Sequence, residues 1–133
     1  FMEKYEKLLN LLMDFNDSIR FAAVCNTDGD IVWNSQRKGM KNIVPLDETK
    51  QTIMRVIDAW AQNANLENYV GSGLYSITSY EKIKRITVPL ADGNLLFISV
   101  NNPPTKNSKT KSYGQIADMG KILSIVDFIK SQK

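Results

Sequence analysis

The sequence contains no histidine and a single cysteine, Cys25, in 133 residues. The first absence removes the commonest general base and the commonest zinc ligand together. It also forbids every Ser–His or Cys–His nucleophile pair. The lone cysteine has no partner for a disulfide within the chain. It lies in a short apolar stretch, RFAAVC, where an inert core thiol is expected. No apolar run approaches the roughly 18 residues of a membrane helix. Residues 1–16 carry Glu3, Glu6 and Asp14 among their leucines, an amphipathic pattern and not an export signal. The cytoplasm is therefore the expected compartment. No glycine-rich phosphate loop is present, and Gly71 and Gly73 precede a strand pattern, not a helix. Asp28 and Asp30 flank a turn glycine but lack the further ligands of an EF-hand loop. No catalytic residue, metal or cofactor is expected from these patterns.

What is present suits one globular domain over residues 1–133. Hydrophobic residues make up 43% and charged residues 23%. The net charge of +3, from 17 basic and 14 acidic residues, permits an acidic partner without demanding one.

The clearest local signal is Tyr80–Val100. Two apolar-rich runs, Ile83–Leu90 and Leu95–Val100, flank Ala91-Asp92-Gly93-Asn94, a hairpin signature. Lys84, Ile86, Val88 and Leu90 share one face of the first run; Ile83, Arg85 and Thr87 share the other. Leu95–Val100 is apolar throughout, as in a strand covered on both faces. An earlier hairpin is expected from Arg20–Cys25, the Asp28-Gly29 turn and Ile31–Trp33. Leu74–Tyr80 alternates, with Tyr75 and Ile77 on one side and Ser76, Thr78 and Tyr80 on the other. Three stretches carry apolar residues at helical spacing. They are residues 2–16 (Tyr5, Leu8, Leu9, Leu12, Phe15), 47–64 (Ile53, Val56, Ile57, Trp60, Ala64) and 115–130 (Ile116, Met119, Ile122, Leu123, Val126, Ile129). Asp47 is the expected N-cap of the second. The order αββαβββα implies an α+β fold: a single five-stranded antiparallel sheet flanked by three helices.

Two stretches are basic. Ser35–Pro45 holds Arg37, Lys38 and Lys41, and the connector 101–114 holds Lys106, Lys109 and Lys111. These six are candidate contacts for an acidic partner. Tyr113 is the only aromatic in the connector, which argues against nucleic acid.

The element order, the Phe21-Ala22-Ala23-Val24 strand followed by Asp28-Gly29, the long helix beginning at Asp47 and the final strand–connector–helix together resemble the roadblock/LC7 family, of profilin-like fold. The run Tyr80–Ile86 is also similar to small archaeal proteins of this type. The resemblance implies a non-enzymatic protein. It implies a homodimer in which the central helix and third strand meet their counterparts to make one continuous sheet. It further implies a scaffold or regulator, with Ras-like small GTPases as one partner class. Carried onto this chain, the implied interface residues are Ile53, Val56, Ile57 and Trp60 on the helix and Tyr75 and Ile77 on the strand. The rival is a PAS- or Cache-like sensory domain binding a small ligand, because Asn26–Asn34 also resembles the opening hairpin of those domains. That reading calls for several short helices around a pocket between the first hairpin and the third strand.

Overall fold

The computed structural model describes residues 2–40, 44–102 and 119–131. Five strands form one antiparallel sheet: β1 (Ile19–Cys25), β2 (Ile31–Gln36), β3 (Ser76–Ser79), β4 (Ile83–Pro89) and β5 (Leu95–Asn101), in the spatial order β2-β1-β5-β4-β3. Three main helices accompany it: α1 (Met2–Phe15), α2 (Leu46–Gln62) and, numbered last in the chain, α4 (Met119–Lys130). A 3-10 turn (Ala64–Leu66) and a four-residue helix, α3 (Glu67–Val70), lengthen the end of α2 beyond the expected boundary.

The apolar spacing places α1 and α4 on the same face. Leu8, Leu9 and Leu12 of α1 and Ile122, Val126 and Ile129 of α4 are buried with Ala22 and Val24 of β1, Ile86 and Val88 of β4, and Leu96 and Ile98 of β5. The opposite face holds a smaller cluster in which Ile53 of α2 is buried with Ala23, Cys25 and Phe97. Central strands β1 and β5 thus pack on both sides, as the small residues Ala22 and Ala23 allow. Burial pushes the Cys25 thiol up to about 11, so it stays protonated and unreactive at neutral pH.

The β4–β5 turn closes through Leu90 N–H to Asn94 O at 2.9 Å, and Gly93 supplies the positive φ of 85° that the turn requires. The Tyr5 hydroxyl donates to the Asp92 carboxylate and accepts from Asn94 Nδ2 at 2.6 Å, tying α1 to that turn. Pro89 ends β4, where its missing donor does no harm. Asp47 is not the N-cap. The helix begins one residue earlier, behind Pro45, with no side-chain cap; Asp47 and Glu48 fall in its first turn, where their charge suits the helix dipole. Strand β3 is also shorter than the alternation suggested, because Leu74 and Tyr75 precede its pairing with β4.

Removing the Tyr5 hydroxyl tests the link from helix to turn. Tyr5→Phe is expected to cost about 1 kcal/mol, the worth of an ordinary hydrogen bond, read by urea denaturation at pH 7. The Tyr5 phenol is held above its usual pKa by burial first and by the bond to Asp92 second. That stabilisation is therefore complete below the unfolded value near 10 and fades as pH rises through the folded one. The gap between wild type and Tyr5→Phe is expected to shrink above about pH 10; a gap that widens there contradicts the assignment.

Candidate functional site

Helix α2 lies over β1 and β5 and leaves the β4–β3 side of the same face uncovered. The result is a cleft of about 940 Å³ between α2 and the sheet. Val56, Ala59 and Trp60 form its helical wall, and Thr87, Arg85, Ser76 and Thr78 lie along its floor. Strand alternation accounts for the hydroxyls. Ser76 pairs with Thr87 and Thr78 with Arg85, and directly opposed residues in a ladder point to the same face. Trp60 reaches down to this floor, its indole Nε1 donating to Thr87 Oγ1 at 3.1 Å. The opposite wall of the ring touches Gly73, where any Cβ would collide with the six-membered ring of the indole. Arg85 stacks over the Phe97 ring at 5.9 Å, and Arg55 pairs with Glu48 at 3.2 Å on the exposed rim. That rim pair is solvent-screened and adds little stability.

One end of the cleft is held by Asn102. Its backbone N–H bonds Lys82 O at 2.9 Å, its side chain donates to Tyr80 O, and its Oδ1 accepts from the buried Lys84 ammonium. Desolvation lowers the Lys84 pKa. The other end runs into an apolar projection that nothing in the described residues covers. Leu66, Tyr69, Val70 and Leu74 are exposed, Tyr69 at 85% and Val70 at 78%. Exposed apolar residues standing singly need no explanation, whereas these four fall close together in sequence just ahead of β3.

The six residues expected at an interface divide. Val56 and Trp60 line the cleft. Ile53 is buried in the chain's own core at 1% exposure, with Ile57 packed against it. Tyr75 is exposed just ahead of β3, and Ile77 on β3 leans against the larger core on the α1–α4 face. Among the basic residues, Arg37 serves an internal purpose. Its Nε donates to Ile19 O at 2.8 Å and its Nη2 to Met13 O at 2.9 Å and Asn16 O at 3.0 Å. The bonds to Met13 and Asn16 cap carbonyls at the C-terminal end of α1, where a cation also suits the dipole, and the bond to Ile19 reaches the start of β1. Lys38 is exposed in the turn after β2; Lys41, Lys106, Lys109 and Lys111 lie outside the described residues. The sequence marks Gly73 only as preceding a strand pattern and Thr87 and Tyr80 only by strand alternation, and it gives Asn102 no signal. The hydroxyl-rich alternation of β3 was the one trace of the cleft floor. Among the described residues no group of three or more metal-ligating side chains occurs, and no helix is long and apolar enough to cross a membrane.

No protein-family model matches this sequence, and no curated protein matches it. Solved structures do. The gliding protein MglB from Thermus thermophilus superposes with a TM-score of 0.65 at 13% identity, over 96% of this chain and 88% of that one. A Roadblock/LC7 domain from Streptomyces avermitilis gives 0.59 at 10% identity, over 92% and 88%. An MglB structure described as having a tetrameric arrangement gives 0.61 at 14% identity, over 97% and 91%. The chain has the Roadblock/LC7 fold.

The contact of Trp60 with Gly73 is testable by fluorescence. In a Trp33→Phe background, Gly73→Ala is expected to push the indole off Thr87 and shift its emission to the red. Unchanged emission in a folded variant contradicts the close contact.

Proposed function

We propose that this chain, one domain over 1–133, is a non-enzymatic homodimeric scaffold or regulator in the cytoplasm with a Ras-like small GTPase as its partner class. The carrying observation is the bare edge of β3 beside the open cleft. Edge strands of proteins that stay apart are blunted by lysine, proline or bulges. The sequence Ser76-Ile77-Thr78-Ser79 has none of these, and β3 meets no strand on its outer side among the described residues. A second copy paired there extends the sheet and brings its own α2 toward the uncovered floor. The likeness to MglB, one form of which is tetrameric, supports self-association on this fold. The resemblance to roadblock proteins supports the partner class.

The cleft favours a second reading, a small-ligand sensor, because its volume lies within the range of small-molecule sites. Its exposed lining along β3 and the continuous 17-residue α2, followed only by a 3-10 turn and the four-residue α3, favour the first.

Light scattering after size exclusion is expected to give a dimer at micromolar concentration. Ser79→Pro is expected to give a monomer of unchanged melting cooperativity, because the Ser79 N–H faces away from β4 and its loss spares that ladder. A monomeric wild type rejects the dimer. For the partner class, purified Ras-like GTPases from the same organism, charged with GDP or a non-hydrolysable GTP analogue, can be titrated by interferometry. Binding that differs between the two nucleotide states is expected; no binding across the set rejects the GTPase reading.

A further inference from the structure

The geometry points to one register for the contact between copies: β3 pairs antiparallel with β3 of a second copy with Ile77 on the twofold axis, so that Ser76 faces Thr78 of the second copy. The inference rests on the homodimer reading above and specifies it.

The first step is symmetry. The uncovered floor lies on the α2 face and reaches the β3 edge. Only a twofold axis perpendicular to the sheet sets two such floors side by side on one face. Directly opposed residues in an antiparallel pair point to the same face. Under that axis, one residue must therefore sit opposite its own copy. The candidates are the four residues of β3, Ser76, Ile77, Thr78 and Ser79, the last of which would set Ile77 against Glu81 and Ser76 against Lys82.

The second step is the backbone. Tyr80 N–H donates to Ile83 O at 2.7 Å, and the pairing of Thr78 with Arg85 and Ser76 with Thr87 continues that set. Hydrogen-bonded and non-bonded pairs alternate along an antiparallel ladder. Tyr80, Thr78 and Ser76 thus direct their backbone groups to β4. Ile77 and Ser79 turn theirs outward. With Ile77 on the axis, its N–H and C=O meet those of its own copy, and Ser79 meets Tyr75 of the second copy.

The third step is the side chains. With Ile77 on the axis, the two Ile77 side chains meet on the α1–α4 face, where each already leans on its own core. On the α2 face Ser76 meets Thr78, hydroxyl against hydroxyl. One step further along the alternation, Leu74 comes opposite Tyr80; these are exposed by 63% and 56% in the single chain. With Thr78 on the axis, Ile77 faces Ser79, and Leu74 faces the ammonium of Lys82. With Ser76 on the axis, the pairing runs into Gly71–Gly73. Apolar cross-strand pairs stabilise and apolar–charged ones do not, which selects Ile77.

Cysteine cross-linking reads the register. Ser76 and Thr78 are both exposed, and in this register they form a non-hydrogen-bonded pair whose Cα atoms lie about 4.5 Å apart, close enough for a disulfide. Cys25 is buried and takes no part. Full-length Ser76→Cys and Thr78→Cys proteins are mixed in reductant, allowed to exchange and then oxidised. The expected result is a hetero-disulfide band, identified by mass spectrometry, with neither variant linking alone. Homo-linking by Thr78→Cys or by Ser76→Cys alone overturns the register and leaves the homodimer standing. A dimer by light scattering that links in none of these combinations overturns β3 pairing itself. A monomer by light scattering rejects the homodimer and this inference with it.

Discussion

A single α-helix is too narrow to cover a five-stranded sheet, and the open surface follows from that mismatch. Strands spaced about 4.8 Å apart make this sheet roughly 20 Å wide, whereas a helix with its side chains is about 10 Å across. On one face, α1 and α4 lie side by side and bury a continuous layer from β1 to β4. On the other, α2 lies alone over Ala23, Cys25 and Phe97. The chain must leave about half of that face uncovered. Threonine and serine suit a floor open to solvent, because their hydroxyls can bond to water where an all-leucine floor could not.

The polar groups that do become buried act as ties between elements distant in sequence. Arg37 holds the end of α1 to the start of β1, Tyr5 holds α1 to the β4–β5 turn, and Asn102 holds the end of β5 to the β3–β4 turn. Lys84 is the costly member of the set. Burial lowers its pKa, so its charge opposes folding at neutral pH, and the opposition fades as pH climbs toward the ordinary lysine value. The bond to Asn102 offsets part of that cost.

The succession of strands and the three main helices along the chain were legible because their signals are periodic and local, whereas the order of the strands across the sheet was not. Asp28-Gly29 and Asp92-Gly93 fix two hairpins, and the leucines of α1 repeat at helical spacing over the whole element. Legibility ended where one residue's role depends on another far away. Arg37 read as a surface cation because nothing in its neighbourhood says that Met13, Asn16 and Ile19 carbonyls converge on it. Ile53 and Trp60 share one stripe, yet one faces the chain's own core and the other the cleft. That division depends on where α2 sits across the sheet, which no spacing records. Gly73 is required by the Trp60 ring, thirteen residues away in sequence and adjacent in space.

The pairing of β1 with β2 shifts register between Val24 and Cys25, and α1 packs on β2. The two margins of the sheet are therefore unlike. A bulge twists a margin away from flat pairing, so β2 is a poor template where β3 is a good one. A sheet that adheres equally at both margins adds copies without limit and grows into a fibre. One that adheres at a single margin saturates after the first addition. Under the pairing proposed at β3, the register shift in the first hairpin leaves the far margin ill-suited to a further copy, so that extension of the sheet closes at two.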